Sequence, residues 1–256
     1  MRPFNLNLPA LIMTATALTL AGGLPLLATG MDGRIASAAA NSYNFRTYLK
    51  DDTIAVASSQ GAVTLTGTVS TEYHKTLAQE TVSGLPGVRS VDNQITVAGE
   101  QPSEHSDDWI TMKVKTNLAF HKNVSASGTE VQTQNGVVTL TGHTSSQARK
   151  DLTGEYAMDV DGVDSVRNDM VVVDTPPGHE RLGEKVDDAS ITAQIKTTLL
   201  FHKSTHALAT RVTTRDGVVT VHGEAVNMAE KNRVTRIAED IKGVRQVNNR
   251  MTLRQS

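Results

Sequence analysis

The sequence predicts an α+β protein of three tandem αββαβ sandwich domains, each a small three-stranded sheet packed by two helices. Two repeated markers carry this. GAVTLTG at residues 61–67 recurs as GVVTLTG at 136–142 and as GVVTVHG at 217–223. A second marker follows each: GVRSVDNQITV from Gly87, GVDSVRNDMVV from Gly162 and GVRQVNNRMTL from Gly243. The glycine pairs Gly67 and Gly87, Gly142 and Gly162, and Gly223 and Gly243 stand 20 residues apart each time. Equal spacing in three copies identifies a repeated module.

The first element of each unit is an amphipathic helix. Ile110, Val114 and Leu118 follow Asp107 and Asp108 at four-residue steps, and Ile191, Ile195 and Leu199 follow Asp187 and Asp188 likewise. Such a stripe is one helical face, and acidic residues suit the positive end of the helix dipole. In the first unit only Phe45 and Leu49 continue the pattern, with Asn41 in the place of Ile110. A short first helix, and a following loop six residues shorter than in the other units, are expected there. The next two elements form a hairpin. Asn135-Gly136 and Asp216-Gly217 accept the positive φ of a tight turn, with Gln60-Gly61 a weaker version. After the turn Val63 and Leu65, Val138 and Leu140, and Val219 and Val221 alternate with mostly threonine, so one strand face is buried.

A second helix then carries Leu77, Val82 and Leu85; Leu152, Tyr156 and Val160; and Val234, Ile237 and Ile241. Asn227 and Glu230 have capping-box spacing. Gly87, Gly162 and Gly243 are expected to end these helices. The closing strand places valines at matching sites, and Asn93, Asn168 and Asn249 match as kink residues. Short polar linkers at 99–106 and 174–185, the second holding Pro176-Pro177, set the units at 41–100, 105–175 and 186–256. Fragments cut near 103 and 182 are expected to fold separately.

Residues 1–40 read as a signal peptide. Arg2 precedes an apolar stretch from Leu8 to Met31, and Ala36-Ser37-Ala38-Ala39-Ala40 offers small residues for cleavage after Ala38 or Ala40. The stretch is also long enough to span a bilayer, but Pro9, Pro25, Gly22 and Gly23 interrupt it. The processed chain carries 23 Lys/Arg against 26 Asp/Glu. The absence of cysteine excludes disulfides, thiol nucleophiles and Cys-based zinc sites. No long basic block marks a nucleic-acid partner.

These residues resemble the BON domain, named for bacterial osmotically induced and nodulation proteins. The resemblance covers nearly all of residues 43–256 and rests on the opening helix, the hairpin, the second helix and the closing G-V-x-x-V-x-N strand. It implies export to the periplasm, no catalytic motif, no cofactor, and work at the envelope under osmotic stress on phospholipid or other apolar material.

Phe120-His121-Lys122 and Phe201-His202-Lys203 repeat after the first helix of units two and three. As a lipid contact, the aromatic ring would enter the bilayer while His and Lys meet a phosphate. Alternatively Phe closes the core and the polar pair favours the negative helix end. The first unit has Lys50-Asp51-Asp52 in that place. His202 and His206 are four apart, but no nearby acid completes a metal site. Trp109 fits an interfacial anchor or a partly buried packing residue. No GxSxG, HExxH or Walker-type loop is present, so an enzyme is not expected. The expected function is non-enzymatic binding of phospholipid surfaces in the periplasm. The alternatives are a holdase-type chaperone for unfolded exported proteins and a structural adaptor between envelope proteins.

Overall fold

The computed structural model describes residues 26–124, 126–173, 185–203, 205 and 210–254. Arg2, most of the apolar N-terminal stretch, Pro176-Pro177 and His206 lie outside these. The first unit contains α1 (Leu26–Asn41), α2 (Tyr43–Thr47), β1 (Thr53–Ser59), β2 (Ala62–Val69), α3 (Glu72–Ser83), β3 (Ser90–Asn93) and β4 (Thr96–Val97). The second has α4 (Asp107–Phe120), β5 (Thr129–Gln134), β6 (Val137–Thr144), α5 (Gln147–Met158), β7 (Ser165–Asn168) and β8 (Val171–Val172). The third has α6 (Asp188–Phe201), β9 (Arg211–Arg215), β10 (Val218–His222), β11 (Glu224–Ala225), α7 (Met228–Glu239), β12 (Gln246–Asn249) and β13 (Thr252–Leu253).

In every unit the hairpin is antiparallel and the closing strand lies parallel to its second strand, giving the order β1-β2-β3, β5-β6-β7 and β9-β10-β12. The turns have left-handed pairs at Gln60-Gly61 (φ 52° and 81°), Asn135-Gly136 (49° and 73°) and Asp216-Gly217 (50° and 73°). Two consecutive positive φ values match the right-handed twist of the flanking strands. The alternating valines and leucines behind each turn are fully buried. Asn93, Asn168 and Asn249 do sit at the kink. Each donates from Nδ2 to a second-helix carbonyl (Lys75, Lys150, Lys231) and accepts the N–H two residues on. One side chain thus replaces the ladder bonds where the strand breaks and pins the strand to the helix.

The second helices end earlier than their glycines imply. Their caps are Gly84, Asp159 and Asp240, while Gly87, Gly162 and Gly243 take positive φ three residues later. At Gly162 a Cβ would meet Ile110 at 3.0 Å, and at Gly243 it would meet Val186 at 2.8 Å. These glycines let the first helix approach the closing turn.

The first unit departs most from expectation. Its opening helix is not short. Asp32 on α1 accepts hydrogen bonds from Ser58 Oγ (2.7 Å), Gln60 N (2.9 Å) and Gly61 N (3.2 Å). Asp107 accepts from Asn135 N and Gly136 N, and Asp188 from Asp216 N and Gly217 N. In each unit, therefore, a carboxylate on the first helix binds the hairpin turn, 29 residues before the turn glycine. Hydrogen bonds from Ser58 and Gln60 hold the Asp32 carboxyl below its usual range. In this register Ile35 matches Ile110 and Ile191, and Phe45 matches Phe120 and Phe201. The loop after the helix, residues 48–52, is shorter than 121–128 and 202–210 in the other units, by three or four residues rather than six. The aliphatic stripe was hidden because Ala39 stands where Val114 and Ile195 do, and Tyr43 where Leu118 and Leu199 do. Ile35 and Ala39 are buried at 2% and 0% exposure.

The units also pack together. Unit two has its own core, whereas units one and three share one. Helix α6 lies between them, with eleven of its 14 residues buried. Its small polar residues would give an isolated unit a solvent face. Here they meet unit one, where Gln194 Nε2 donates to Asn44 Oδ1 (2.8 Å) and Asn44 N donates to Ser190 Oγ (3.1 Å). Lys196 pairs with Glu80 at 2.7 Å beside them. Units one and three therefore bury part of their cores against each other.

Candidate functional site

The Phe-His-Lys elements lie at the junction of units two and three. Phe120 and Phe201 end α4 and α6, and both rings are buried against tyrosines of unit one. Phe120 meets Tyr48 edge-on at 5.0 Å, and Phe201 meets Tyr73 at 4.4 Å. Beyond them the backbones of the two units exchange hydrogen bonds reciprocally. Lys122 N donates to Asp240 O (2.9 Å) and Lys242 N to Phe120 O (3.1 Å). In the mirrored contact Lys203 N donates to Asp159 O (3.1 Å) and Asp161 N to Phe201 O (2.8 Å).

The side chains repeat this exchange. Lys122 Nζ donates to the Glu239 carbonyl, and Lys203 Nζ to the Met158 carbonyl. Each ammonium therefore sits at the negative end of the other unit's second helix, where the last carbonyls lack intrahelical partners. His121 is buried, 3.2 Å from Asp240 and stacked on Tyr156 at 3.7 Å. His202 is buried 3.4 Å from Asp159. Burial holds the His121 imidazole below its usual pKa, although Asp240 pulls the other way. Burial raises the Asp240 carboxyl, but bonds from His121, Tyr156 and Asn123 outweigh it and leave the group low.

The proposed lipid-contact set Phe120, His121, Lys122, Phe201, His202 and Lys203 is thus brought together, but facing inward. Four of the six are buried. The two lysines are exposed along their stems and commit their ammonium groups to carbonyls. A bilayer could reach the aromatic rings only if the units, unit one included, came apart. Trp109 is a half-buried packing residue with the Lys113 ammonium 3.7 Å from its ring centre. Among the described residues no group of three His, Cys, Asp or Glu is placed to hold a metal ion, and no helix is long and apolar enough to cross a membrane.

A different surface carries exposed apolar side chains. Val226, Met228 and Leu253 are 49%, 53% and 42% exposed. They belong to one end of unit three, where β11 runs into α7: Val226 follows β11, Met228 opens α7 and Leu253 of β13 pairs with Ala225. The backbone there is held firmly. Asn227 caps α7 by accepting Glu230 N (2.9 Å), and Glu230 Oε2 accepts Val226 N (2.7 Å). An apolar residue before a cap commonly packs on the fourth helical residue. That residue is Lys231, whose ammonium is turned to the Met251 carbonyl, so Val226 has no such partner and stands outward. Arg250 and Arg254 flank β13 and are exposed. The charge is uneven across the units. Residues 187–255 carry eleven Lys/Arg against seven Asp/Glu, whereas 106–174 carry six against ten. This surface was missed, although a signal was present. Val226 replaces Ser70 and Ser145, and Met228 replaces Glu72 and Gln147, at matching repeat positions.

The family model of the BON domain matches three times, at residues 32–99, 106–174 and 187–255. The first match includes Asp32 and Ile35. The chain is 33% identical to the osmotically-inducible protein Y of Escherichia coli (strain K12), over 73% of this chain and 91% of that one. It is 34% identical to a 21 kDa hemolysin of Actinobacillus pleuropneumoniae over 44% of this chain and 59% of that one. It is also 30% identical to the outer membrane lipoprotein DolP of Haemophilus influenzae, over 41% of this chain and 55% of the relative.

Proposed function

This chain belongs to the BON-domain family, and from that premise we propose that it is a non-enzymatic envelope protein of osmotic stress, exported to the periplasm, whose third unit docks on anionic phospholipid. The relatives' names, osmotically-inducible and outer membrane lipoprotein, support the stress and envelope parts. The observation that carries the lipid part is the exposed Val226, Met228 and Leu253 cluster, flanked by Arg250 and Arg254 on a unit with excess positive charge.

The expected affinity is modest. Fully burying a Val, Leu or Met side chain is worth about 1.5–3 kcal/mol, and these three are already half covered, so together they contribute about 3 kcal/mol. A basic residue near an anionic surface adds about 1 kcal/mol, so two arginines add about 2. A total of about 5 kcal/mol corresponds to a dissociation constant on the order of 0.2 mM. Such contact is reversible and weakens with salt.

Flotation with phosphatidylglycerol vesicles at low salt tests this. The wild-type protein should float, Val226→Asp with Met228→Asp should not, and Lys122→Met should float as wild type. Failure of the wild type to float, together with suppression of aggregation of an unfolded client, would replace this reading with the holdase alternative.

A further inference from the structure

We propose that a signal peptidase cuts this chain at the Gly30–Met31 bond. This rests on the export reading above and assigns its processing site. Water hydrolyses the amide, leaving the carboxylate on Gly30 and a new amine on Met31.

The argument begins with what the first unit cannot lose. Cutting after Ala38 removes Asp32, which accepts three hydrogen bonds from β1 and the hairpin turn, and Ile35, which is 2% exposed in the shared core. It also puts a charged amine on Ala39, whose exposure is 0%. Cutting after Ala40 removes Ala39 as well, and either cut leaves α1 with three residues or fewer. Burying a charge without a partner is strongly unfavourable, and the face of β2 carrying Val63 and Leu65 would lose the helix that helps cover it. The small-residue run is therefore part of a folded helix, which buries Ala39 while Ser37 and Ala40 face solvent. Alanine is small enough for close packing at position 39 and favours the helix at the others.

The upstream limit comes from the repeat. α4 and α6 begin at Asp107 and Asp188, capped by Ser106 and Asp187, whereas α1 begins six residues before the matching Asp32. Helix α4 has no such leading turn, because the six matching residues, 101–106, lie before it and end in its cap, Ser106. Within residues 26–31 Ala28-Thr29-Gly30 sets small residues at the third and first positions before a cut, at the end of the apolar stretch. A Cβ on Gly30 would meet nothing within 4 Å. Hydrolysis there places Met31 where Ser106 and Asp187 stand and starts the helix at Asp32, as in units two and three.

The test is to express the full chain in a Gram-negative host, isolate the periplasmic fraction and determine the N-terminus by Edman sequencing and intact mass. The expected product begins Met31-Asp32-Gly33. Ala28→Leu with Gly30→Leu should leave mostly precursor. Ala38→Gln, which installs the residue found at the matching Gln194, blocks both downstream sites and should leave the N-terminus unchanged. A periplasmic product with any other first residue, above all Ala39 or Asn41, overturns the assigned bond while leaving export intact. A chain that keeps Met1 and stays in the cytoplasm overturns export as well.

Discussion

Replacing Ile35 with alanine tests whether the first unit is built as the other two are. The side chain is 2% exposed and belongs to the core shared with unit three. The substitution removes three carbons, worth about 0.8 kcal/mol each on burial, and a residual cavity brings the expected loss to about 3–4 kcal/mol. In a protein of this size each kcal/mol lowers Tm by about 2–4 °C, so thermal unfolding followed by circular dichroism should show a fall of roughly 6–16 °C. Ile110→Ala and Ile191→Ala, at the matching positions of α4 and α6, should cost about as much. Arg34→Ala, on the exposed side of α1, should change Tm by no more than a degree or two, as surface substitutions are usually within about 0.5 kcal/mol. If Ile35→Ala behaved like Arg34→Ala, α1 would not be part of the folded unit, and the argument against cleavage at the alanine run would fall with it.

Gly142 has φ 115°, and a Cβ there would lie 2.0 Å from the Gly128 carbonyl oxygen. Gly142→Ala should therefore cost about 2–6 kcal/mol from strain and overpacking, read as a lower urea midpoint for unit two. The junction of units two and three should respond to pH through His121. Its folded pKa lies below the ordinary histidine value because the ring is buried, so the unfolded chain binds the proton more readily. Stability is fully present above the unfolded pKa of about 6.5 and declines as pH falls toward the lowered folded value. Hydrogen exchange at Lys122 and Lys242, whose amides bridge the units, should accelerate relative to core amides between about pH 7 and pH 5, allowing for intrinsic rates. His121→Gln should flatten that change.

Much of the fold was legible because its signals are local. The Asn-Gly and Asp-Gly turns, the valine alternation behind them and the repeated asparagine kink each depend on a few neighbouring residues, and each is present as expected. The first helix of unit one was misplaced because Ala39 and Tyr43 interrupt the aliphatic stripe. The correct register lay in a longer relation, the aspartate 29 residues before the turn glycine, whose role is invisible until the helix is packed on the hairpin. How the units dock was not legible. Ser190, Gln194, Thr197 and Thr198 have the composition of a solvent face, yet all are buried because α3 of unit one covers α6. The Phe-His-Lys repeat was recognised as a feature shared by two units. Its use by each unit on the other follows from their reciprocal arrangement, which repeat spacing does not encode.

The central claim is that the third unit, through Val226 and Met228, is what meets anionic phospholipid. The chain contains no cysteine, so single labelling sites can be introduced without removing native thiols. An environment-sensitive fluorophore on Val226→Cys should shift to the blue when phosphatidylglycerol vesicles are added at low salt, and the shift should reverse as salt is raised. The same label on Lys122→Cys, at the junction of units two and three, should not respond. A blue shift at Lys122→Cys with none at Val226→Cys would contradict the account, because it would place the lipid contact at the element that the folded protein uses to join its own units.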